Sequence, residues 1–83
     1  MNSRVRHVET RPNYRLELTF TSGEVSVFDV NPYLDKGLFS ELKNSSVFNS
    51  VRAFNGTVVW PNNLDFDPDT LYLESVKTSQ IVL

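Results

Sequence analysis

The chain has 83 residues, with eight Lys and Arg against ten Asp and Glu, 40% apolar residues and no cysteine. A chain of this length supports one hydrophobic core, so we expect a single domain over residues 1–83 rather than a two-domain enzyme. The net charge of −2 is the wrong sign for a protein that binds by neutralising phosphates, which makes nucleic acid an unlikely partner. The lack of cysteine excludes a disulfide framework and a thiolate zinc site, and it favours a reducing cytoplasm.

Neither a membrane span nor a signal peptide is expected. No stretch of the sequence approaches the roughly 20 consecutive apolar residues of a transmembrane helix. The N-terminal residues lack the apolar run of a secretory signal. We therefore expect a cytoplasmic chain that does not bind membranes.

Charge is distributed unevenly along the chain. The first fifteen residues are basic, through Arg4, Arg6, Arg11 and Arg15, whereas a late segment is acidic, through Asp65, Asp67, Asp69 and Glu74. Two interpretations stay open. The segments are either solvated faces whose ends meet within one fold, or complementary patches of an interface with a partner.

The N-terminal third predicts two strands. Residues 4–8 predict a short first strand with Val5 and His7 on one face. In the second strand, apolar residues alternate with polar ones with a period of two. This pattern predicts one apolar face, which carries Tyr14, Leu16, Leu18 and Phe20.

A first hairpin follows the second strand. Residues 21–24 form the turn, in which Gly23 supplies a positive φ, and residues 25–30 form the returning strand. The expected register pairs Phe20 with Val25 and Leu18 with Val27. Because Asp29 interrupts the apolar pattern, either the far end of this strand is covered on both faces or a bulge lies near residues 27–28.

Short helical pieces are predicted next. Asn31 is a suitable N-cap, Pro32 suits the first helical position and Gly37 can close the turn. Apolar residues between positions 38 and 48 predict further short helices packed on the sheet, with Ser45 or Ser46 as the cap of the second.

The pair Asn55 and Gly56 predicts a second hairpin, because both positions of the favoured two-residue turn require positive φ. The resulting register pairs Phe54 with Thr57 and Ala53 with Val58. The side chains of Val51, Ala53, Val58 and Trp60 then lie on one face of this hairpin. Pro61 removes a backbone donor and ends the strand.

A helix is predicted to begin after Asp67, with this carboxylate as N-cap, Pro68 in the first position and Asp69 at the positive end of the helix dipole. We expect an ordered core over about residues 4–74, and residues 75–83 form either a tail or an edge strand. The predicted fold is α+β: a small antiparallel sheet built from two β-hairpins, with short helices packed on one face.

Few residues could carry chemistry. Asp65, Asp67 and Asp69 have the alternating spacing of a calcium loop, but its sixth position is occupied by Thr70 and its twelfth by Val76, so a helix cap explains them better. The chain has one histidine, His7, and each of its three glycines is explained by a turn. We therefore expect no catalytic, cofactor or metal site, and a noncatalytic protein.

Ten aromatic residues mostly fall on core-facing positions of this pattern. Trp60, next to Pro61, has two interpretations: it packs in the core, or it anchors a partner, since Trp is enriched in interface hot spots. The candidate interaction surface comprises Trp60, Pro61, Asp29, Asp65, Arg4 and Arg6.

The order and spacing of several of these residues resemble a family of short bacterial proteins, family 2442 of the domains of unknown function. The matching features run from about Val5 to Tyr72 and include Ser22 with Gly23, Asp29, Leu34, Gly37, Phe39, Leu42, Phe48, Gly56, Trp60 with Pro61, Asp65, Asp67, Pro68 and Leu71. The resemblance implies a bacterial, cytoplasmic α+β fold of hairpins and short helices with no established activity. Some relatives are fused to a helix-turn-helix and others are encoded beside toxin-like proteins, which implies an antitoxin-like or adaptor role. Only eleven residues follow Tyr72, so we expect no such DNA-binding domain here.

Three hypotheses about function follow. The first is a noncatalytic protein-interaction module whose partner is a small protein or a second copy, bound through a strand edge or the surface near Trp60 and Pro61. The second is a small-ligand-binding protein or minor enzyme that uses Asp29, His7 and the acidic segment. The third is weak nucleic-acid binding through the N-terminal arginines.

Overall fold

The computed structural model describes residues 2–78 and has the predicted α+β fold. The strands are β1 (Val5–Arg11), β2 (Arg15–Phe20), β3 (Val25–Asp29), β4 (Arg52–Phe54), β5 (Thr57–Val59) and β6 (Val76–Lys77). A four-stranded antiparallel sheet has the order β1-β2-β3-β6, and β4 and β5 form a separate two-stranded sheet beside β1. The helical elements are 3₁₀ segments at Asn31–Tyr33 and Gly37–Lys43, α1 (Ser45–Phe48) and α2 (Pro68–Glu74).

Strand β1 is longer than predicted and contains a bulge. Val5 pairs with Phe20 but His7 pairs with Thr19, so one extra residue of β1 lies between them. A bulge of this kind shifts the alternation of side chains by one residue. Val5 is buried while His7 is exposed, and the prediction that they share a face is wrong. Val8, rather than His7, packs against the core.

The β2–β3 register differs by one residue from the predicted one, because the connecting loop has three residues. Gly23, at φ 92°, donates its N–H to the carbonyl of Phe20, and the N–H of Phe20 donates to the carbonyl of Glu24, both at 2.9 Å. This is a turn followed by a residue in the left-handed region, a common hairpin connection. Leu18 therefore lies opposite Ser26 rather than Val27.

The shifted register decides which side chains of β3 reach the core. Ser26 and Phe28 are buried, and Val25 and Val27 lie on the opposite face together with Asp29. The β2–β3 ladder is regular from the Arg15–Asp29 pair to the Thr19–Val25 pair, so no bulge lies near residues 27–28.

Two of the predicted helix caps are wrong. Asn31 is the first residue of its 3₁₀ segment and caps nothing, since its Nδ2 donates to the carbonyl of Asn13 at 2.6 Å and to Oδ1 of Asp29 at 2.7 Å. Asn44, rather than either serine, caps α1 by accepting from the N–H of Ser46 at 2.9 Å. Gly37 begins the second 3₁₀ segment instead of closing the first turn.

The second hairpin and the last helix form as predicted. Asn55 and Gly56 have φ of 50° and 81°, and Phe54 pairs with Thr57. Asp67 caps α2 through a bond of 3.2 Å from the N–H of Thr70 to its Oδ2.

The segment after α2 begins with an edge strand, because β6 pairs antiparallel with β3. Residues 79–83 lie outside the described part of the chain. The alternatives of a tail and an edge strand are therefore decided for Val76 and Lys77 only.

The core lies between the four-stranded sheet, the β4–β5 hairpin and the helical segments. Its buried side chains include Leu16, Leu18, Phe20, Phe28, Val30, Leu42, Phe48, Val58, Trp60, Phe66 and Leu71.

We predict that Gly56→Ala lowers the free energy of unfolding more than Gly23→Ala does. Both glycines have positive φ, where a side chain costs about 1–2 kcal/mol. A Cβ at position 56 would in addition lie 3.0 Å from Cβ of Arg4, whereas one at position 23 meets nothing within 4 Å. Urea denaturation measures both changes, and the excess cost at position 56 is expected to disappear in an Arg4→Gly background, which removes the Cβ of residue 4. An equal cost for the two variants in the native background would contradict this contact.

Candidate functional site

Trp60 lies in the core. Its side chain is 2% exposed, its ring centre is 5.9 Å from that of Phe66, and its Nε1–H donates to the carbonyl of Phe48 at 3.0 Å. A buried indole with a satisfied N–H contributes packing and one fixed hydrogen bond. Of the two interpretations of Trp60, the structure therefore supports core packing, and its ring is not presented to a partner.

The chain reverses immediately after Trp60. Asn63 donates its N–H to the carbonyl of Trp60 at 3.0 Å, and Trp60 donates its N–H to the carbonyl of Leu64 at 2.9 Å. Asn63 has a φ of 66°, so it occupies the left-handed position that Gly23 occupies in the first hairpin. The reversal brings Asp65 back beside β5, where it forms an isolated bridge with Val59.

This arrangement leaves a cleft on the outward face of the β4–β5 hairpin. We name it the hairpin cleft; it has a volume of about 360 Å³ and is lined by Arg52, Phe54, Val59, Trp60, Pro61, Asn63 and Asp65. Three of the six predicted surface residues, Trp60, Pro61 and Asp65, therefore meet here, with the Trp60 ring buried beneath the surface.

Arg52, Val59 and Asp65 form a row across the cleft. Arg52 pairs with Val59, and Val59 forms a bridge with Asp65. Since adjacent strands are about 4.8 Å apart, the cation and the carboxylate start from backbone positions about 10 Å apart, on either side of Val59.

The polar groups of the cleft are available to a partner. Within residues 2–78, neither Arg52 nor Asp65 forms an ion pair or a side-chain hydrogen bond. The guanidinium carbon of Arg52 is 5.3 Å from the ring centre of Phe54, a cation–π distance. The side chain of Phe54 is 50% exposed. The cleft thus combines an exposed aromatic ring, a cation and a carboxylate.

Sequence reasoning missed Arg52 and Phe54. A usable signal is present, because these residues alternate with Val51 and Ala53, which the hairpin pattern predicts to face the core. In a strand, the intervening side chains must then face outward.

The other predicted surface residues lie elsewhere. Asp29 accepts hydrogen bonds at its Oδ1 from the backbone N–H of Asn31 at 3.0 Å and from the Asn31 side chain, so it organises the end of β3. Arg4 lays its aliphatic stem over Gly56. Arg6 is exposed at the β1 bulge. The structure does not bring these three residues into the hairpin cleft.

The N-terminal arginines are interleaved with acids on the outward face of the sheet. Arg11 binds Glu17 at 3.0 Å, and His7 lies 2.9 Å from Glu9. Nδ2 of Asn2, in the basic segment, donates to Oδ1 of Asp69, in the acidic segment, at 3.3 Å. The two segments therefore approach each other within one fold. This contact fits the solvated-face interpretation of the two segments.

A polar cluster fixes β6 to the β2–β3 turn. Lys77 forms an ion pair with Glu24, and the Tyr72 hydroxyl donates to Oε1 of Glu24 at 2.9 Å. The hydrogen bond from Lys77 is the largest cause of a lowered pKa at Glu24. The same contact raises the pKa of Lys77, and the bond to Glu24 raises the pKa of Tyr72. An acid held ionised in this way is a structural anchor rather than a proton acceptor near neutral pH.

A second, smaller cleft lies on the other side of the turn that follows Trp60. It has a volume of about 310 Å³ and is lined by Glu41, Ser46, Val47, Ser50, Pro61 and Asn62. Both polar side-chain atoms of Asn62 are buried there without a hydrogen-bond partner among the described residues. An unsatisfied buried amide of this kind costs stability.

A protein-family model described as Protein of unknown function (DUF2442) matches residues 5–77. This chain belongs to that family. No curated protein and no solved structure matches it. Membership therefore establishes kinship with proteins whose activity is itself unknown, and the geometry of the cleft is the main guide to function.

Two classes of feature are not found in the described part of the chain. Residues 2–78 contain no group of three or more His, Cys, Asp and Glu side chains placed to hold a metal ion. Across the same residues, no helix has the length and apolar character needed to cross a membrane.

We predict that Asn62→Leu raises the free energy of unfolding by about 1–2 kcal/mol, because it replaces an unsatisfied buried amide with an apolar group of similar size. Asn62→Asp, which would bury a charge at the same place, is the opposing variant and is expected to destabilise the fold. Urea denaturation measures both. A loss of stability in the leucine variant would show that the Asn62 amide is satisfied in solution.

The Glu24 cluster predicts stability changes at both ends of the pH range. Because the folded pKa of Glu24 is below the reference value of 4.5, its contribution is present above pH 4.5 and is lost as the pH falls through the folded pKa. The folded pKa of Lys77 is above 10.5, so its contribution is present below pH 10.5 and is lost as the pH rises through the folded pKa.

Glu24→Gln is therefore expected to flatten both limbs of the stability profile, measured by urea denaturation at a series of pH values. Asp35→Asn is the matched control, because Lys43 lowers the pKa of Asp35 in the same way at another position. The control should flatten only the acid limb. An alkaline limb that Glu24→Gln leaves unchanged would show that the Lys77 pair is not formed in solution.

Proposed function

We propose that this chain is a noncatalytic protein-interaction module of the bacterial cytoplasm, an antitoxin-like or adaptor protein, and that it binds its partner through the hairpin cleft. The observation that carries the proposal is the side chain of Phe54, which is 50% exposed next to the Arg52 guanidinium. Phenylalanine and arginine are among the residue types enriched in the cores of protein–protein interfaces.

The support beneath the cleft also favours binding. Trp60 is buried and fixed by its bond to Phe48, and the turn that follows is closed by two backbone hydrogen bonds. A surface that is held in place before binding loses less conformational entropy when a partner docks. The hairpin cleft is therefore a preorganised surface.

The enzyme and small-ligand alternative has less support. Asp29 pairs with Arg15, and His7 pairs with Thr19. These pairs are four residues apart along β2, which separates them by about 13 Å in the strand direction. Asp29, His7 and the acidic segment therefore do not line one common cleft.

The nucleic-acid alternative is also disfavoured. Arg11 is already paired with Glu17, and Glu9 lies on the same strand between Arg6 and Arg11. A phosphate-binding surface requires cations that are clustered without intervening acids.

Affinity capture from cells of the native host, followed by mass spectrometry, tests the proposal. The wild-type chain is expected to retain a stoichiometric protein, and Phe54→Ser is expected to lose it, because the substitution removes the apolar anchor. Leu73→Ser is the matched control, since Leu73 is 70% exposed and lies on α2, outside the cleft. Capture of nothing, or equal capture by wild type and Phe54→Ser, would contradict binding through this surface.

A further inference from the structure

We propose that a second copy of this chain occupies the hairpin cleft, in a two-fold symmetric dimer. This inference rests on the proposed function, which makes the cleft the interaction surface, and adds the identity of one partner. Its basis is the row of Arg52, Val59 and Asp65 across one sheet face. The row has a cation at one end, an apolar residue in the middle and a carboxylate at the other end.

Such a row is complementary to itself. A two-fold axis that runs along the strands, above Val59 and between two facing copies, exchanges the left and right sides of the sheet. It places Arg52 of each copy opposite Asp65 of the other copy and stacks the two Val59 side chains at the centre. A symmetric interface requires this kind of self-complementarity, since each patch must bind an identical patch.

The two charges are not paired with other charges in the described residues. Neither Arg52 nor Asp65 forms an ion pair or side-chain hydrogen bond there, so dimer formation would not break an intramolecular pair. Opposite charges that meet across an interface fix its orientation and disfavour other arrangements. The contact would also cover part of Phe54, which is exposed beside Arg52.

The size of the cleft sets the expected strength. Seven residues line it, fewer than the roughly 20–30 residues that each partner contributes to an interface of standard size. The dimer is therefore expected to be weak and dependent on concentration. Sedimentation equilibrium should span about 10 µM to about 1 mM, the range in which weak complexes form.

A charge-reversal experiment tests the pairing directly. Arg52→Asp sets two carboxylates against each other at both symmetric contacts, and Asp65→Arg sets two guanidinium groups against each other there. Each variant alone should therefore lose about tenfold or more in dimer affinity.

An equimolar mixture of the two variants provides the rescue. In a mixed dimer, one of the two contacts joins the carboxylate introduced at position 52 to the guanidinium introduced at position 65. The other contact joins the native Arg52 of one copy to the native Asp65 of the other, so opposite charges meet at both. The mixture should regain a dimer with one copy of each variant.

Arg6→Asp is the matched control, since Arg6 is exposed and lies outside the cleft. It should dimerise like the wild type, and circular dichroism with thermal melting confirms that all variants fold. A wild type that stays monomeric at about 1 mM, a dimer that both single variants retain, or a mixture that fails to recover would each overturn the inference. If the dimer fails while a host protein is still captured in a Phe54-dependent manner, the proposed function stands and only the self-association is wrong.

Discussion

The aromatic contacts of Phe66 join the four-stranded sheet, the second 3₁₀ segment and the end of the β4–β5 hairpin. Its ring centre lies 5.0 Å from that of Phe28 on β3, 4.9 Å from Phe39 in the second 3₁₀ segment and 5.9 Å from Trp60 at the end of β5. Its backbone carbonyl accepts a hydrogen bond from the Thr57 hydroxyl at 2.6 Å. Aromatic pairs of this geometry add to the free energy of burial, so Phe66 contributes to holding the two sheets and the second 3₁₀ segment against each other. The hairpin cleft depends on this support, since Trp60 lies beneath it.

Local chemistry explains which parts of the fold could be predicted. The turn at Asn55 and Gly56 and the cap at Asp67 depend only on neighbouring residues, and both are confirmed. The predicted β2–β3 register is wrong because four-residue and three-residue loops both suit the sequence around Gly23, and removing one loop residue exchanges the faces of β3. The β1 bulge depends on pairing with β2, and nothing in the sequence of β1 marks it.

The candidate site was predictable only in part, for the same reason. Pro61 and Asp65 follow the second hairpin, and their sequence positions alone place them near each other. The alternation with Val51 and Ala53 indicates that Arg52 and Phe54 lie on the outward face of β4, but it does not indicate that Asp65 returns beside this face. The sequence prediction includes Asp29 and Arg4 in the interaction surface, but Asp29 ends β3 and Arg4 covers Gly56. Residue type indicates which side chains can bind, whereas strand register decides which of them share a face.

The central claim is that Trp60 and Phe66 form a fixed support beneath a preformed hairpin cleft. Solution NMR of the full chain tests it most directly, through hydrogen exchange at the Trp60 Nε1–H together with nuclear Overhauser effects between the two rings. The account predicts slow exchange, because this group donates to the Phe48 carbonyl in the core, and cross-peaks between Trp60 and Phe66. Rapid exchange without ring-to-ring cross-peaks would place the indole in solvent and contradict the account.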